Sequence, residues 1–135
     1  MRILNPEGWP RPKGFSNGVA AAGTSVFVAG QIGWNPVEER FETDDFAEQV
    51  RQALKNTVAV LAEAGAAPEH ITRMTWYVTD RKEYLAAVRE VGGAYREVIG
   101  ANYPAMALVE VAGLVDDRAR VEIETTAVVP SGEAT

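Results

Sequence analysis

Residues 102–129 carry the pattern that most restricts what this chain can fold into. Two runs within it, 105–111 and 120–129, alternate with period two and are rich in Val, Ile and Thr, as strands on a half-buried sheet are. In the second run Val121, Ile123, Thr125 and Ala127 share one face, and Glu122, Glu124 and Thr126 take the other. In the first, Ala105, Ala107, Val109 and Val111 lie together, opposite Met106, Leu108 and Glu110. Carboxylates inside so apolar a strand are costly unless they meet water, a partner or a ligand. Gly113 and the Asp116-Asp117 pair suit a connecting loop, so the two runs are expected to pair as a hairpin.

The upstream chain builds around that pair. Residues 9–14, with Pro10, Pro12 and Gly14, form a stiff approach with no helical period. Short strands at 19–22 and 25–29, turned at Gly23-Thr24, read as a second hairpin. Asp44-Asp45 then open a helix at its positive end; Phe46, Val50, Leu54, Val58 and Leu61 recur at helical spacing, and Gly65 suits a C-terminal cap. Residues 71–78 form another strand, with Met74, Trp76 and Val78 facing away from Arg73, Thr75 and Tyr77. A second helix starts at Asp80, whose spacing to Glu83 fits a capping box, and Gly100 ends it. Its Gly92-Gly93 pair costs about 2 kcal/mol against alanine, which predicts close packing there.

The order β-β-α-β-α-β-β predicts an α+β fold, a single mixed sheet with two helices on one face. One domain is expected over residues 1–130, with 131–135 a loose tail. Two helices cover one sheet face, yet Phe27 opposes Val26 and Val28, and Tyr77 opposes Trp76, so both faces carry large apolar groups. A second subunit is the expected cover. The net charge of −6 argues against nucleic acid and against anionic membranes. Cysteine is absent, which removes disulfides, thiolate nucleophiles and Cys-based zinc sites. No apolar run approaches the ~20 residues of a membrane helix, and the N-terminus lacks a signal-peptide core, so a cytoplasmic location is expected. No P-loop, dinucleotide fingerprint, Ser-His-Asp set or metal-spaced cluster occurs, so no cofactor or metal is expected. The single histidine, His70, follows Pro68-Glu69 in a loop with no motif around it.

Taken together, the segments 27–32, 49–56 and 76–80, Tyr103-Pro104-Ala105, Val109-Glu110-Val111 and Val121-Glu122-Ile123-Glu124 make the chain resemble the RidA/YjgF family over about residues 17–129. The resemblance implies a chorismate-mutase-like fold and a homotrimer whose clefts are lined by neighbouring subunits and take a small-molecule ligand. It implies hydrolysis of reactive enamines and imines to keto acids and ammonia. In the family an arginine directly after Pro-Ala binds the substrate carboxylate; here Met106 stands there, and a thioether makes no bidentate pair with a carboxylate. Phe15 takes the place of a tyrosine and Ala29 that of a frequent serine, whereas Gly30 and Gln31 are retained. Glu122 matches the glutamate that positions the hydrolytic water, or else it is an interface carboxylate. With Tyr103 and the main chain near Gly30 and Ala107, these residues form the expected substrate site. Arg89 and Arg96 are either solvated or stand in for the missing anion anchor, and Trp34 and Trp76 are either structural or stack on a flat ligand. Two functions fit: a divergent, cofactor-independent deaminase acting on an imine or enamine other than the usual keto-acid precursors, or a non-catalytic trimeric binder of small metabolites. Ribonuclease chemistry fits poorly with the acidic charge and the lone loop histidine.

Overall fold

Alternating β-branched residues produce strands where the pattern places them, but their partners differ from the expected hairpins. The computed structural model describes residues 1–132; of the expected tail, 133–135 lie outside the described residues. In chain order the elements are β1 (Arg2–Leu4), β2 (Gly18–Ala20), β3 (Thr24–Ile32), α1 (Phe46–Glu63), a 3-10 turn (Pro68–His70), β4 (Ile71–Val78), α2 (Arg81–Ala86), α3 (Val88–Val98), β5 (Ala105–Glu110) and β6 (Val121–Val129). The main sheet has the order β3-β6-β4-β5. β6 runs antiparallel to β3 and β4, while β5 runs parallel to β4. The α+β class and the mixed sheet with helices are as the pattern predicts.

The expected 105–111/120–129 hairpin does not form, because β4 lies between the two strands. Val121, Ile123, Ala127 and Val129 are completely buried, whereas β5 is only half-buried and ends exposed at Val109 and Glu110. The strand with the more apolar inner face takes the central slot. The Asp116 turn does form, with Asp116 Oδ1 accepting from the Arg118 N–H at 2.9 Å, but a turn does not dictate which strand pairs next. The 19–22/25–29 hairpin also fails. β2 pairs with β1, Ile3 opposite Val19, and β3 pairs with β6. Gly23 has φ +147, and a Cβ there would lie 2.0 Å from the Val129 carbonyl oxygen, so this glycine serves close passage over the end of β6.

α1 follows its sequence signals closely. Asp45 accepts from the Glu48 N–H at 3.0 Å, Val50, Ala53, Leu54 and Leu61 are fully buried, and Gly65 is left-handed at φ 69. Each such leucine contributes roughly 1.5–3 kcal/mol of burial. The second helix is interrupted at Ala87, which divides it into α2 and α3. Its capping box is half made: Asp80 accepts from the Lys82 N–H at 2.9 Å, but Glu83 turns to Arg120, Nη1 lying 3.1 Å from each carboxylate oxygen. Nor do Gly92 and Gly93 mark close packing, since a Cβ at either would meet nothing within 4 Å. α3 packs chiefly on α1 rather than over β4 and β5, which leaves a gap between α3 and that half of the sheet. No helix among the described residues is long and apolar enough to cross a membrane.

Candidate functional site

The gap beside α3 is a cleft of about 710 Å³. Pairing of Met74 with Met106 and of Trp76 with Leu108 turns these side chains toward the helices. Trp76, Met106 and Leu108 therefore form one wall and α3 the other. Phe15 and Tyr103 also line it, their segments held together by a local clasp. The Ser16 hydroxyl donates to the Tyr103 carbonyl at 2.5 Å, and the Ser16 N–H donates to the Pro104 carbonyl at 2.9 Å. Tyr103 stacks on Tyr95, with ring centroids 5.8 Å apart and planes 14° from parallel, and the Tyr95 hydroxyl donates to the Asn102 carbonyl. Burial raises the Tyr95 phenol well above its ordinary pKa, with the neighbouring Tyr103 adding to the shift, so it stays neutral across the physiological range.

The carboxylate half of the predicted site lies elsewhere. β3 is irregular between Val28, opposite Thr125, and Gln31, opposite Ile123, so Ala29 and Gly30 form a bulge against β6. Glu122 lies over that bulge: a Cβ on Gly30 would come within 2.0 Å of its Oε2. Glycine is thus the residue that lets the carboxylate rest on the main chain. Gln31 Nε2 donates back to the Ala29 carbonyl at 3.2 Å, tightening the same turn. Glu122 makes no hydrogen bond or ion pair among the described residues. Beside it, the Tyr77 hydroxyl donates to Glu124 at 2.5 Å; that bond and the nearby Glu124 and Glu122 charges raise the tyrosine pKa.

Within one chain the predicted residues therefore separate into two groups. Phe15, Tyr103 and Met106 converge on the cleft. Ala29, Gly30 and Glu122 gather at the bulge, with Gln31 adjacent in β3. The register places Ala107 opposite Thr75, on the face away from Met106 and two strands from β6. Of the tryptophans, Trp76 lines the cleft, while Trp34 packs against Phe41 with centroids 6.1 Å apart. His70 Nδ1 accepts from the Ala67 N–H at 3.0 Å and shapes the 3-10 turn.

Two supports escaped the sequence analysis. Gln49, fully buried on α1, donates to the Thr43 and Arg118 carbonyls, both at 3.1 Å, and accepts from the Arg120 N–H at 2.9 Å. It clamps the segment entering β6 just ahead of Glu122. Asn56, two turns on, donates to the Ile32 and Trp34 carbonyls at 3.2 and 2.9 Å and fixes the exit of β3. Both lie in the recognised 49–56 segment, and two amides seven residues apart on an apolar helix face were the available signal.

Sheet, helices and cleft define a small α+β protein with a bare sheet face and an aromatic-walled pocket beneath its last helix. Known proteins share this fold. The family model for endoribonuclease L-PSP matches residues 10–129. A RutC family protein of Pyrococcus horikoshii is 34% identical over 125 residues, covering 93% of this chain and 95% of its own. The human 2-iminobutanoate/2-iminopropanoate deaminase is 30% identical over 104 residues, covering 77% of this chain and 72% of its own. The crystal structure of a Rid family protein from Yersinia pestis superposes with a TM-score of 0.82 at 31% identity, covering 95% of this chain and 98% of that one. The chain belongs to the RidA/YjgF family.

Proposed function

We propose that this protein is a cofactor-independent hydrolase of the deaminase kind. It acts on an enamine or imine other than the usual keto-acid precursors, in clefts completed between the subunits of a homotrimer. The observation that carries the proposal is the division of the candidate residues between two faces of one sheet, Met106 on the helix side and Glu122 on the bare side. No motion within a sheet joins opposite faces, whereas a neighbouring copy can bring its carboxylate to the cleft. Likeness to the human imine deaminase supports the reaction class. Met106, at the position of the family's arginine, favours a substrate whose reacting end is more apolar.

In such a site Glu122 accepts a proton from a water molecule as the water oxygen bonds to the C=N carbon. The proton passes to nitrogen to give the carbinolamine, and as the C–N bond breaks the hydroxyl proton is also transferred to nitrogen, so that ammonia leaves and the carbonyl forms. Main-chain N–H groups near Gly30 or Ala107 are the candidates to polarise the substrate. The ribonuclease reading gains no support from His70, which is engaged in its own turn.

The test generates imines in situ from amino acids and follows ammonia release. Glu122→Gln should lower turnover roughly a hundredfold to ten-thousandfold, with the assembled mass and ligand binding unchanged. Gly30→Ala should do the same by displacing the carboxylate. Unchanged turnover in Glu122→Gln refutes the assigned role. A ligand that binds the wild-type cleft and is recovered intact, without ammonia, makes the protein a metabolite binder instead.

A further inference from the structure

We infer that the cleft beneath α3 takes an organic anion with a flat apolar body, its charged group held at a rim formed by Arg89 and Arg96. This rests on the proposed use of the cleft as the ligand site and names the ligand class. Charge at the cleft runs against that of the chain as a whole. The chain carries 19 acidic and 13 basic side chains, yet Lys13, Arg89 and Arg96 line the cleft and, among the described residues, no carboxylate does. α3 sorts its charges by face: Arg89 and Arg96 are two turns apart on the cleft side, while Glu97 turns away to Arg51 at 2.6 Å. Neither cleft arginine has an ion-pair partner among the described residues. A cluster of cations on an acidic protein, with its own carboxylates directed elsewhere, selects anions.

The shape of the cleft suits a flat ligand. Gly92 and Gly93 lie between the two arginines on the same helix, where glycine weakens the helix relative to alanine. Among the described residues nothing lies within 4 Å of a Cβ placed at either. That space belongs to the cleft, whose volume of about 710 Å³ is ample for a ring-bearing small molecule. Trp76, Tyr95 and Tyr103 line the same cleft as an aromatic cluster, with Trp76 and Tyr95 centroids 6.4 Å apart.

The cleft wall also holds an unmet hydrogen-bond donor. Trp76 is 3% exposed and lines the cleft, and its indole N–H is buried with no acceptor among the described residues. Buried donors are almost always paired, so a ligand that displaces the side chains now closing off the indole gains a donor that has no competing partner.

Calorimetric titration tests the inference with three probes: 3-phenylpropionate, its uncharged analogue 3-phenylpropanol, and 2-oxobutyrate. The aromatic acid should bind at least about tenfold more tightly than either of the others. Arg89→Ala and Arg96→Ala should each remove about that factor for the acid while leaving the alcohol unchanged. Gly93→Leu should abolish binding with the fold intact by circular dichroism, since leucine favours a helix more than glycine does. In a nitrogen–proton correlation spectrum, one of the three tryptophan indole signals should move on adding the acid. Equal affinity for acid and alcohol, or unchanged binding in the double arginine variant, overturns the inference; so does absence of binding by the wild type. Ammonia release is scored separately. Loss of the anion preference with imine turnover intact overturns the ligand class alone, and tight anion binding without turnover overturns the hydrolase alone.

Discussion

Replacing both Gly92 and Gly93 by alanine should stabilise the protein by about 2 kcal/mol, since a glycine inside a helix lies about 0.8–1.0 kcal/mol above alanine. Both lie inside α3 and neither has a positive φ, so alanine adopts the same backbone without strain. A Cβ at either position meets nothing within 4 Å, which leaves no steric cost to set against the gain. For a chain of 135 residues, 1 kcal/mol moves the melting temperature by roughly 3–5 °C, so the double variant should melt roughly 5–10 °C higher. Urea unfolding followed by far-ultraviolet circular dichroism measures the change, and an unaltered m-value shows that the unfolded state is unaffected. A loss of stability would refute the reasoning, because it would mean that another surface already occupies the cleft side of α3.

Gln49→Leu should cost about 2–4 kcal/mol in urea unfolding, since it strands two carbonyls and one N–H that Gln49 now satisfies in the interior. Imines derived from serine or threonine should turn over slowly, and Met106→Arg should raise their rate roughly tenfold to a hundredfold, the worth of one charge-assisted bond; rapid 2-iminobutyrate hydrolysis by the wild type would contradict this. Tyr77 should ionise above its ordinary value and return toward it in Glu124→Gln, read from the ultraviolet difference spectrum. A pKa raised in the folded state favours the neutral phenol, so this contribution is present below the unfolded value and lost only as pH climbs through the folded one. Light scattering should give about three times the 14.6 kDa chain mass, and Val109→Asp on the bare face should lower it.

Faces were legible in the sequence; neighbours were not. Period two correctly assigned Met106 and Leu108 to one side of β5 and Ala105, Ala107 and Val109 to the other, because alternation is a property of the strand itself. It says nothing about pairing, which is why two adjacent strands read as a hairpin while β4 separates them. α1 could be read almost to the residue since its cap, apolar stripe and terminal glycine are all local. The break at Ala87 carries neither glycine nor proline and left no local trace. At the site, the gathering of Phe15, Tyr103 and Met106 was available only through family resemblance, since their contacts span some ninety positions. The Arg89-Gly92-Gly93-Arg96 spacing was visible as one helix face, but whether that face met water or a cleft depended on where α3 docked.

The central place of β6 also bears on how the protein comes to be made. Thr24 pairs with Val129 and Ile32 with Glu122, while β4 reaches β3 only through β6. Until residue 129 has left the ribosome, β3 and β4 have no common partner, and the inner faces of both remain open. At about 5–20 residues per second, synthesis holds that exposed state for several seconds. α1, whose signals are local, can form in that interval, but the sheet beneath it closes late and over a long loop, which places the protein among the slower folders of its size. A chain released between β5 and β6 leaves β3 without a partner in the main sheet and β4 paired along one edge only, rather than a smaller version of the fold.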